Sequence, residues 1–96
     1  MKLHLEFSPP FNEVTRNINE VFEFEKEITL KELIEFFGQR YGEKFSDLVW
    51  EKGKKGVFSK FLSIIINGRS YQHDNFLNTK LRDGDQIVFI YIYFGG

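Results

Sequence analysis

Apolar and polar residues alternate in two stretches near the start of the chain, and both stretches predict strands. In "KLHLEFS", Leu3, Leu5 and Phe7 fall on one side and polar residues on the other, as in a half-buried strand. "NEVFEFEKE" alternates in the same way, with Phe22 and Phe24 on one side and glutamates on the other. The glutamates predict a solvated face on an edge strand, and the prolines of "SPPFNEVTRN" predict a loop between the two strands.

The period then changes and predicts a helix. Thr29 and Glu32 have the spacing of a capping box, so the helix is expected to begin at Thr29 or Leu30. Gly42 is the expected C-terminal stop. The i, i+3, i+4, i+7 stripe of this helix consists of Leu30, Leu33, Ile34 and Phe37.

The remaining chain predicts three more strands. "FSDLVW" fits a short helix, and "KGKKG" fits a flexible basic loop that is either solvated or docked against an acidic rim on a partner protein. "FLSIIINGRSYQ" reads as a hairpin because Asn67-Gly68 favours a two-residue turn. "DNFLNTKL" predicts one helical turn that points Phe76, Leu77 and Leu81 inward, and "RDGD" predicts a tight turn. The last strand, "QIVFIYIYF", is apolar on both faces, which is typical of the centre of a sheet.

This order of elements predicts an α+β fold. A central last strand fits best between the first and third strands and parallel to the first, which gives a β-grasp, a mixed sheet wrapped around one helix. The predicted core contains the inward-facing residues Leu3, Leu5, Phe7, Phe22, Phe24, Leu30, Leu33, Ile34, Phe37, Ile64, Ile66, Leu77, Leu81, Ile87 and Phe89.

Length and composition narrow the class of protein. Ninety-six residues predict a single domain, residues 1–96. A net charge of −1 favours neither a nucleic-acid partner nor a membrane surface. The chain has no cysteine, and His4 and His73 are far apart, so we expect no metal site and no cysteine nucleophile. The early strand pattern with Glu6 does not fit a signal peptide, and a cytoplasmic location is expected.

The element order, together with "LRDGDQIVFIYIYFGG", resembles the MoaD/ThiS family of ubiquitin-like sulfur carriers. This family includes the small subunit of molybdopterin synthase, the thiamine carrier and the ubiquitin-related modifiers, and the resemblance to the synthase subunit is the strongest. Residues 91–94 replace the proline pair that many molybdopterin-type members carry before the tail. The segment from Lys44 to Lys60 is longer than minimal carriers need, and is similar to archaeal members or to the eukaryotic modifier.

The resemblance implies that residues 94–96 form a flexible tail and that the C-terminal carboxylate of Gly96 is the reacting group. An activating enzyme would adenylate it with ATP, and sulfur would then replace an oxygen to give a thiocarboxylate. Gly95 and Gly96 lack a Cβ and suit a narrow channel. The chain would bind no cofactor and would not be catalytic alone, acting instead as the sulfur-donating subunit of a synthase in molybdenum or tungsten cofactor biosynthesis.

Alternatives to the synthase role remain open. The sulfur acceptor could equally be a thiamine precursor or tRNA, or the chain could be a modifier joined to target proteins through Gly96. A third reading is a non-catalytic β-grasp interaction module.

A partner surface is predicted on the sheet face opposite the helix. Val88 and Ile90 alternate with Ile87 and Phe89 and should point away from the helix, next to Ile65. We expect this apolar patch to stay largely exposed and to bind the activating enzyme or the large synthase subunit, although a loop of the chain could also cover it. The full set of expected partner-binding residues is Ile65, Val88, Ile90, Ile92 and Phe94.

Overall fold

The computed structural model describes residues 1–52, 54–71 and 77–92 and has the predicted β-grasp topology. A five-stranded mixed sheet has the order β2-β1-β7-β5-β6, and a separate two-stranded sheet pairs β3 with β4. The elements in chain order are β1 (Lys2–Phe7), α1 (Phe11–Thr15), β2 (Asn19–Glu23), α2 (Leu30–Tyr41), α3 (Glu43–Val49), β3 (Trp50–Glu51), β4 (Lys54–Phe58), β5 (Leu62–Ile66), β6 (Arg69–Tyr71) and β7 (Gln86–Tyr91).

The last strand, β7, occupies the centre of the sheet. It runs parallel to β1, with Phe7 opposite Phe89, and antiparallel to β5, with Ile66 opposite Ile87. β2 forms one edge of the sheet, as its glutamates predicted. The position of β7 between the first strand and the "SIII" strand is therefore confirmed.

Helix α2 begins where the capping box placed it. Thr29 is the N-cap, its hydroxyl accepts from the Glu32 amide at 3.2 Å, and its own amide donates to the Glu32 carboxylate at 3.0 Å. The helix ends at Gly42, whose φ of 83° favours glycine. Within the described ranges, no helix is long and apolar enough to span a membrane.

The core lies between α2 and the five-stranded sheet and is mainly aromatic. Phe37 of α2 contacts Phe7 and Phe89 of the sheet, with ring centroids 5.5 and 5.8 Å apart. The predicted core is buried except at Phe24 and Leu77, which are half-buried at its margin. Phe76, which was also predicted to point inward, lies outside the described residues. Among the described residues, the buried hydrophobic side chains that were not predicted are Phe11, Ile28, Phe45, Val49, Phe58 and Leu62.

Two segments predicted as loops are ordered elements. The "SPPFNEVTRN" segment contains α1, because Pro10 can serve as its N-cap and Phe11 is fully buried against Phe45 and Phe89. The basic "KGKKG" segment is not simply a loop, since its last three residues belong to β4. There Trp50 lies opposite Phe58, and their rings stack 5.5 Å apart. The short helix predicted at "FSDLVW" is confirmed as part of α3.

The two turn motifs of the second half bind each other. The side-chain amide of Asn67 donates to the Asp85 carboxylate at 2.8 Å, and its side-chain oxygen accepts from the Gln86 amide at 2.9 Å. The other Asp85 oxygen accepts from the Arg82 amide at 2.8 Å, and Gly84 has a φ of 86°. Asp85 thus joins the "NG" hairpin turn to the "DGD" turn that precedes β7.

Replacing Asp85 by alanine is expected to lower the free energy of unfolding by about 1–2 kcal/mol, because two hydrogen bonds to one carboxylate are lost. Asp47→Ala is a matched control, since it removes the same charge from an exposed position on α3 and should change stability by less than about 0.5 kcal/mol. Urea unfolding of both variants measures the difference. Equal stabilities for the two variants would contradict the role of Asp85.

Candidate partner-binding face and tail anchor

The sheet face opposite α2 carries the predicted apolar side chains. Ile87 and Phe89 are fully buried towards the helix, so Val88 and Ile90 point to the opposite face, as predicted. Ile65 lies directly opposite Val88 in the β5–β7 pairing. These three side chains, Ile65, Val88 and Ile90, are called the outer patch below.

The outer patch is less exposed than predicted. All three of its residues are half-buried, whereas the sequence suggested that they would be largely exposed. The reason is their position on the two inner strands, where neighbouring strands flank each side chain. Ile92, just beyond β7, is also half-buried. The face therefore offers a flat apolar strip rather than protruding side chains.

Polar residues of β1 border this strip. Glu6 lies opposite Val88 in the β1–β7 pairing, and His4 lies opposite Val21 of β2, which is 51% exposed. Together they line a shallow groove of about 450 Å³ that runs across β2, β1 and β7. The face thus combines an apolar half on β5 and β7 with a polar half on β1. A complementary partner surface therefore needs an apolar region and a polar region side by side.

The end of β7 is held by two hydrogen bonds that the sequence did not predict. The Ile92 amide donates to the Phe61 carbonyl at 2.7 Å. The Tyr91 hydroxyl donates to the carbonyl of Leu48 in α3. The Tyr91 ring packs against Phe11 and Phe61, with centroids 5.3 and 6.2 Å apart. We call these two hydrogen bonds the tail anchor, because they lie immediately before residues 93–96.

The tail anchor could not be predicted from the sequence because both of its acceptors are backbone carbonyl groups. Alternation along β7 correctly places Tyr91 on the helix side, where it packs at the margin of the core. Its partner is a carbonyl, however, and every residue has one. No residue type at position 48 or 61 therefore signals the contact.

Several predicted site residues lie outside the described part of the chain. These are Phe94, Gly95 and Gly96, together with the predicted flexible tail of residues 94–96. Their roles stay predictions. Among the residues that the structure does describe, no three histidine, aspartate or glutamate side chains form a group that could hold a metal ion.

Solved structures with the same fold include archaeal and bacterial proteins. The HVO 2177 protein of Haloferax volcanii has a TM-score of 0.80 at 23% identity, covering 100% of this chain and 87% of that one. The small archaeal modifier protein 1 of Methanosarcina acetivorans has a TM-score of 0.75 at 20% identity, covering 99% and 96%. One chain of the complex of subunits 1 and 2 of the molybdopterin-converting factor of Helicobacter pylori has a TM-score of 0.60 at 24% identity, covering 100% of this chain and 100% of that one. These likenesses show the ubiquitin-like fold.

Sequence comparison identifies the family. A curated protein of Archaeoglobus fulgidus, provisionally named as a sulfur carrier protein, is 28% identical over 71 residues, which cover 74% of this chain and 77% of that protein. The ThiS family matches residues 10–96, nearly the whole chain and all of α2, β5 and β7. The chain therefore belongs to the ThiS family.

Proposed function

We propose that this protein is a sulfur carrier whose Gly96 carboxylate is adenylated and then converted to a thiocarboxylate. The observation that carries the proposal is the ThiS family match, which extends to Gly96. The structure supports it because the central strand β7 ends at Tyr91, only a few residues before Gly95-Gly96. A firmly held strand followed by two residues without a Cβ is suited to delivering a carboxylate into the active site of another protein.

The chemistry requires an activated carboxylate. A free carboxylate is a poor electrophile, because no good leaving group is attached to its carbon. Attack of the Gly96 carboxylate on ATP releases pyrophosphate and forms an acyl-adenylate. Hydrosulfide from the sulfur donor then attacks the acyl carbon, AMP leaves with the electron pair of the broken bond, and loss of the sulfur-bound proton leaves a thiocarboxylate. ATP binds to the activating enzyme in this scheme, and the carrier itself holds no cofactor.

We further propose that the sulfur is passed on within a synthase complex of molybdopterin biosynthesis. The fold is shared with one chain of the molybdopterin-converting factor complex of Helicobacter pylori, which is an assembly of subunits 1 and 2. In that role the present chain would be the small, sulfur-donating subunit and would bind a large subunit through the outer patch. We expect this sulfur transfer to take place in the cytoplasm.

Intact-mass analysis tests the proposed chemistry directly. The protein is incubated with ATP, its activating enzyme and a sulfur donor, and its mass is then measured. We expect a gain equal to the exchange of one oxygen for one sulfur, lost again when Gly96 is deleted. The same spectrum of the starting protein verifies that Gly96 carries the terminal carboxylate. An unchanged mass in the presence of a working activating enzyme would contradict sulfur carriage.

Protein modification is the second candidate function, favoured by the likeness to the small archaeal modifier protein of Methanosarcina acetivorans. Both functions start from the same acyl-adenylate, but a modifier passes its carboxyl group to a lysine amine and forms an amide bond. Conjugates that migrate slowly on denaturing gels and depend on Gly96 would support this function. If neither conjugates nor a sulfur exchange appeared, an interaction module without tail chemistry would remain.

The outer patch is the proposed docking face, and an Ile90→Asp variant tests it. A buried aspartate in an apolar interface leaves a charge without a partner, so affinity for the activating enzyme should fall at least about tenfold. Val57→Asp is a matched control, because Val57 is 41% exposed on β4 in the other sheet. Binding measured by calorimetry should change little for the control. Equal affinity of the Ile90 variant and the parent would remove the outer patch from the interface.

A further inference from the structure

We propose that Tyr91 is a positioning residue, whose hydroxyl fixes the point from which the tail reaches into the partner's active site. The inference rests on the proposed function and adds a role for the segment from Glu43 to Phe61. That segment includes α3, β3 and β4, and none of these belongs to the five-stranded sheet. It supplies both carbonyl acceptors of the tail anchor, those of Leu48 and Phe61.

The tail anchor begins where the sheet stops supporting the chain. The β5–β7 pairing ends with Leu62 opposite Tyr91. The bond from the Ile92 amide to the Phe61 carbonyl extends the connection by one residue. The Tyr91 hydroxyl adds a contact outside the ladder, because it reaches α3 rather than a neighbouring strand. The two bonds together hold both the position and the direction of the chain at residue 92.

The position of the backbone at residue 92 matters because the four residues that follow it can span only a short distance. Gly96 lies four residues after Ile92, so its carboxyl group can extend at most about 14 Å from that point. A starting point that shifts by a residue moves the carboxyl by up to about 3.6 Å. Misplacement of a reacting group by about 1 Å already lowers rates substantially. An anchored start therefore raises the fraction of bound complexes in which the carboxylate meets ATP.

The segment between Glu43 and Phe61 is itself well suited to hold the tail in place. Phe45 and Val49 of α3 are fully buried, and Phe45 contacts Phe89 of β7 with centroids 5.6 Å apart. The Ser59 amide donates to the Val49 carbonyl at 2.7 Å, which closes the segment on itself beside the tail anchor. The acceptors for Tyr91 and Ile92 thus belong to a packed part of the molecule and can fix the end of β7.

A Tyr91→Phe variant isolates the hydroxyl, since the phenyl ring keeps its contacts with Phe11 and Phe61. In ATP–pyrophosphate exchange with the activating enzyme, we expect kcat to fall about three- to tenfold, the range for loss of one hydrogen bond. The KM for the carrier should stay within about twofold, because the outer patch is unchanged. In the free protein, amide hydrogen exchange at Ile92 should be several-fold faster.

Tyr41→Phe is the matched control. The Tyr41 hydroxyl is buried and has no hydrogen-bond partner among the described residues, while its ring stacks on Phe45 at 5.8 Å. The control therefore also removes one hydroxyl from the aromatic cluster, but it leaves the tail anchor intact. We expect unchanged kcat and unchanged protection of the Ile92 amide.

Three results would overturn the inference. Unchanged Ile92 protection in Tyr91→Phe would show that the hydroxyl does not hold the tail, whatever the protein's function. An unchanged kcat beside a lower melting temperature would mean that Tyr91 is only structural. A higher KM at constant kcat would place Tyr91 in docking instead. Failure of the proposed function gives a different pattern, because the parent protein itself would then show no exchange.

Discussion

Replacing Phe89 by alanine is expected to lower the free energy of unfolding by about 3–5 kcal/mol. Phe89 is fully buried on the central strand and contacts four phenylalanine rings at centroid distances of 5.5–6.0 Å, those of Phe7, Phe11, Phe37 and Phe45. These rings come from β1, α1, α2 and α3, so one truncation opens a cavity where four elements meet. Because domains of this size are stable by about 5–15 kcal/mol, the loss removes a large share of the total.

Chemical denaturation of the parent and the variant measures the loss of free energy of unfolding. In thermal unfolding, the melting temperature should fall by at least about 12 °C. Ile18→Ala is the control: Ile18 is 60% exposed, so its truncation should cost less than about 0.5 kcal/mol. A loss below about 1 kcal/mol at Phe89 would mean that the surrounding rings close the cavity, and that the aromatic cluster does not fix the arrangement of the helices.

Periodicity predicted the parts of the fold in which each residue's face follows from its neighbours. The alternation of Leu3, Leu5 and Phe7 and the helical stripe around Leu33 were both correct, because one face of each element is buried and the other is solvated. The central place of β7 followed from a different signal, the apolar character of both its faces. The pairing order could be inferred from this strand because an inner position, with a neighbouring strand on each side, shields the side chains of both faces at least partly from solvent.

The buried residues and the segments that the sequence did not predict lack such a period. Phe11 and Phe45 lie in short helices, where a single buried ring on one turn gives no repeat to recognise. The prolines before Phe11 suggested a loop, although Pro10 is compatible with a helix N-terminus. The lysines and glycine of β4 predicted a loop. Only Phe58 of this strand is buried, so no alternation of apolar residues indicated a strand. Tertiary packing of isolated aromatic residues decided these segments, and it cannot be read from local pattern.

The candidate site also has features that could be predicted from local pattern and features that could not. The direction of Val88 and Ile90 followed from alternation along β7, but their degree of burial depended on the strands beside them. The link between Asn67 and Asp85 joins two turn motifs that looked independent in the sequence. That contact gives a physical reason for the two motifs to occur together, since each turn completes the hydrogen bonds of the other.

Deletion of Gly96 is expected to abolish adenylation while leaving the fold intact. The new terminal carboxylate, on Gly95, is drawn back by up to about 3.6 Å, which is far more than the misplacement that already costs about a hundredfold in rate. ATP–pyrophosphate exchange should therefore fall at least about a hundredfold. The free energy of unfolding should change by less than about 0.5 kcal/mol, because glycine has no side chain to bury and chain termini generally tolerate change.

A Gly95→Val variant tests the effect of side-chain bulk in the tail separately from the effect of tail length. Gly95→Val keeps the carboxylate at residue 96 but places a branched side chain where a narrow channel would accept only hydrogen, so exchange should again be lost. Gly95→Ala adds a single methyl group and should give an intermediate rate, which makes the series graded. Both variants should bind the activating enzyme through the unchanged outer patch, with the defect in kcat. Normal exchange by the Gly96 deletion would contradict the carrier and the modifier functions together, because both use the carboxylate at that residue.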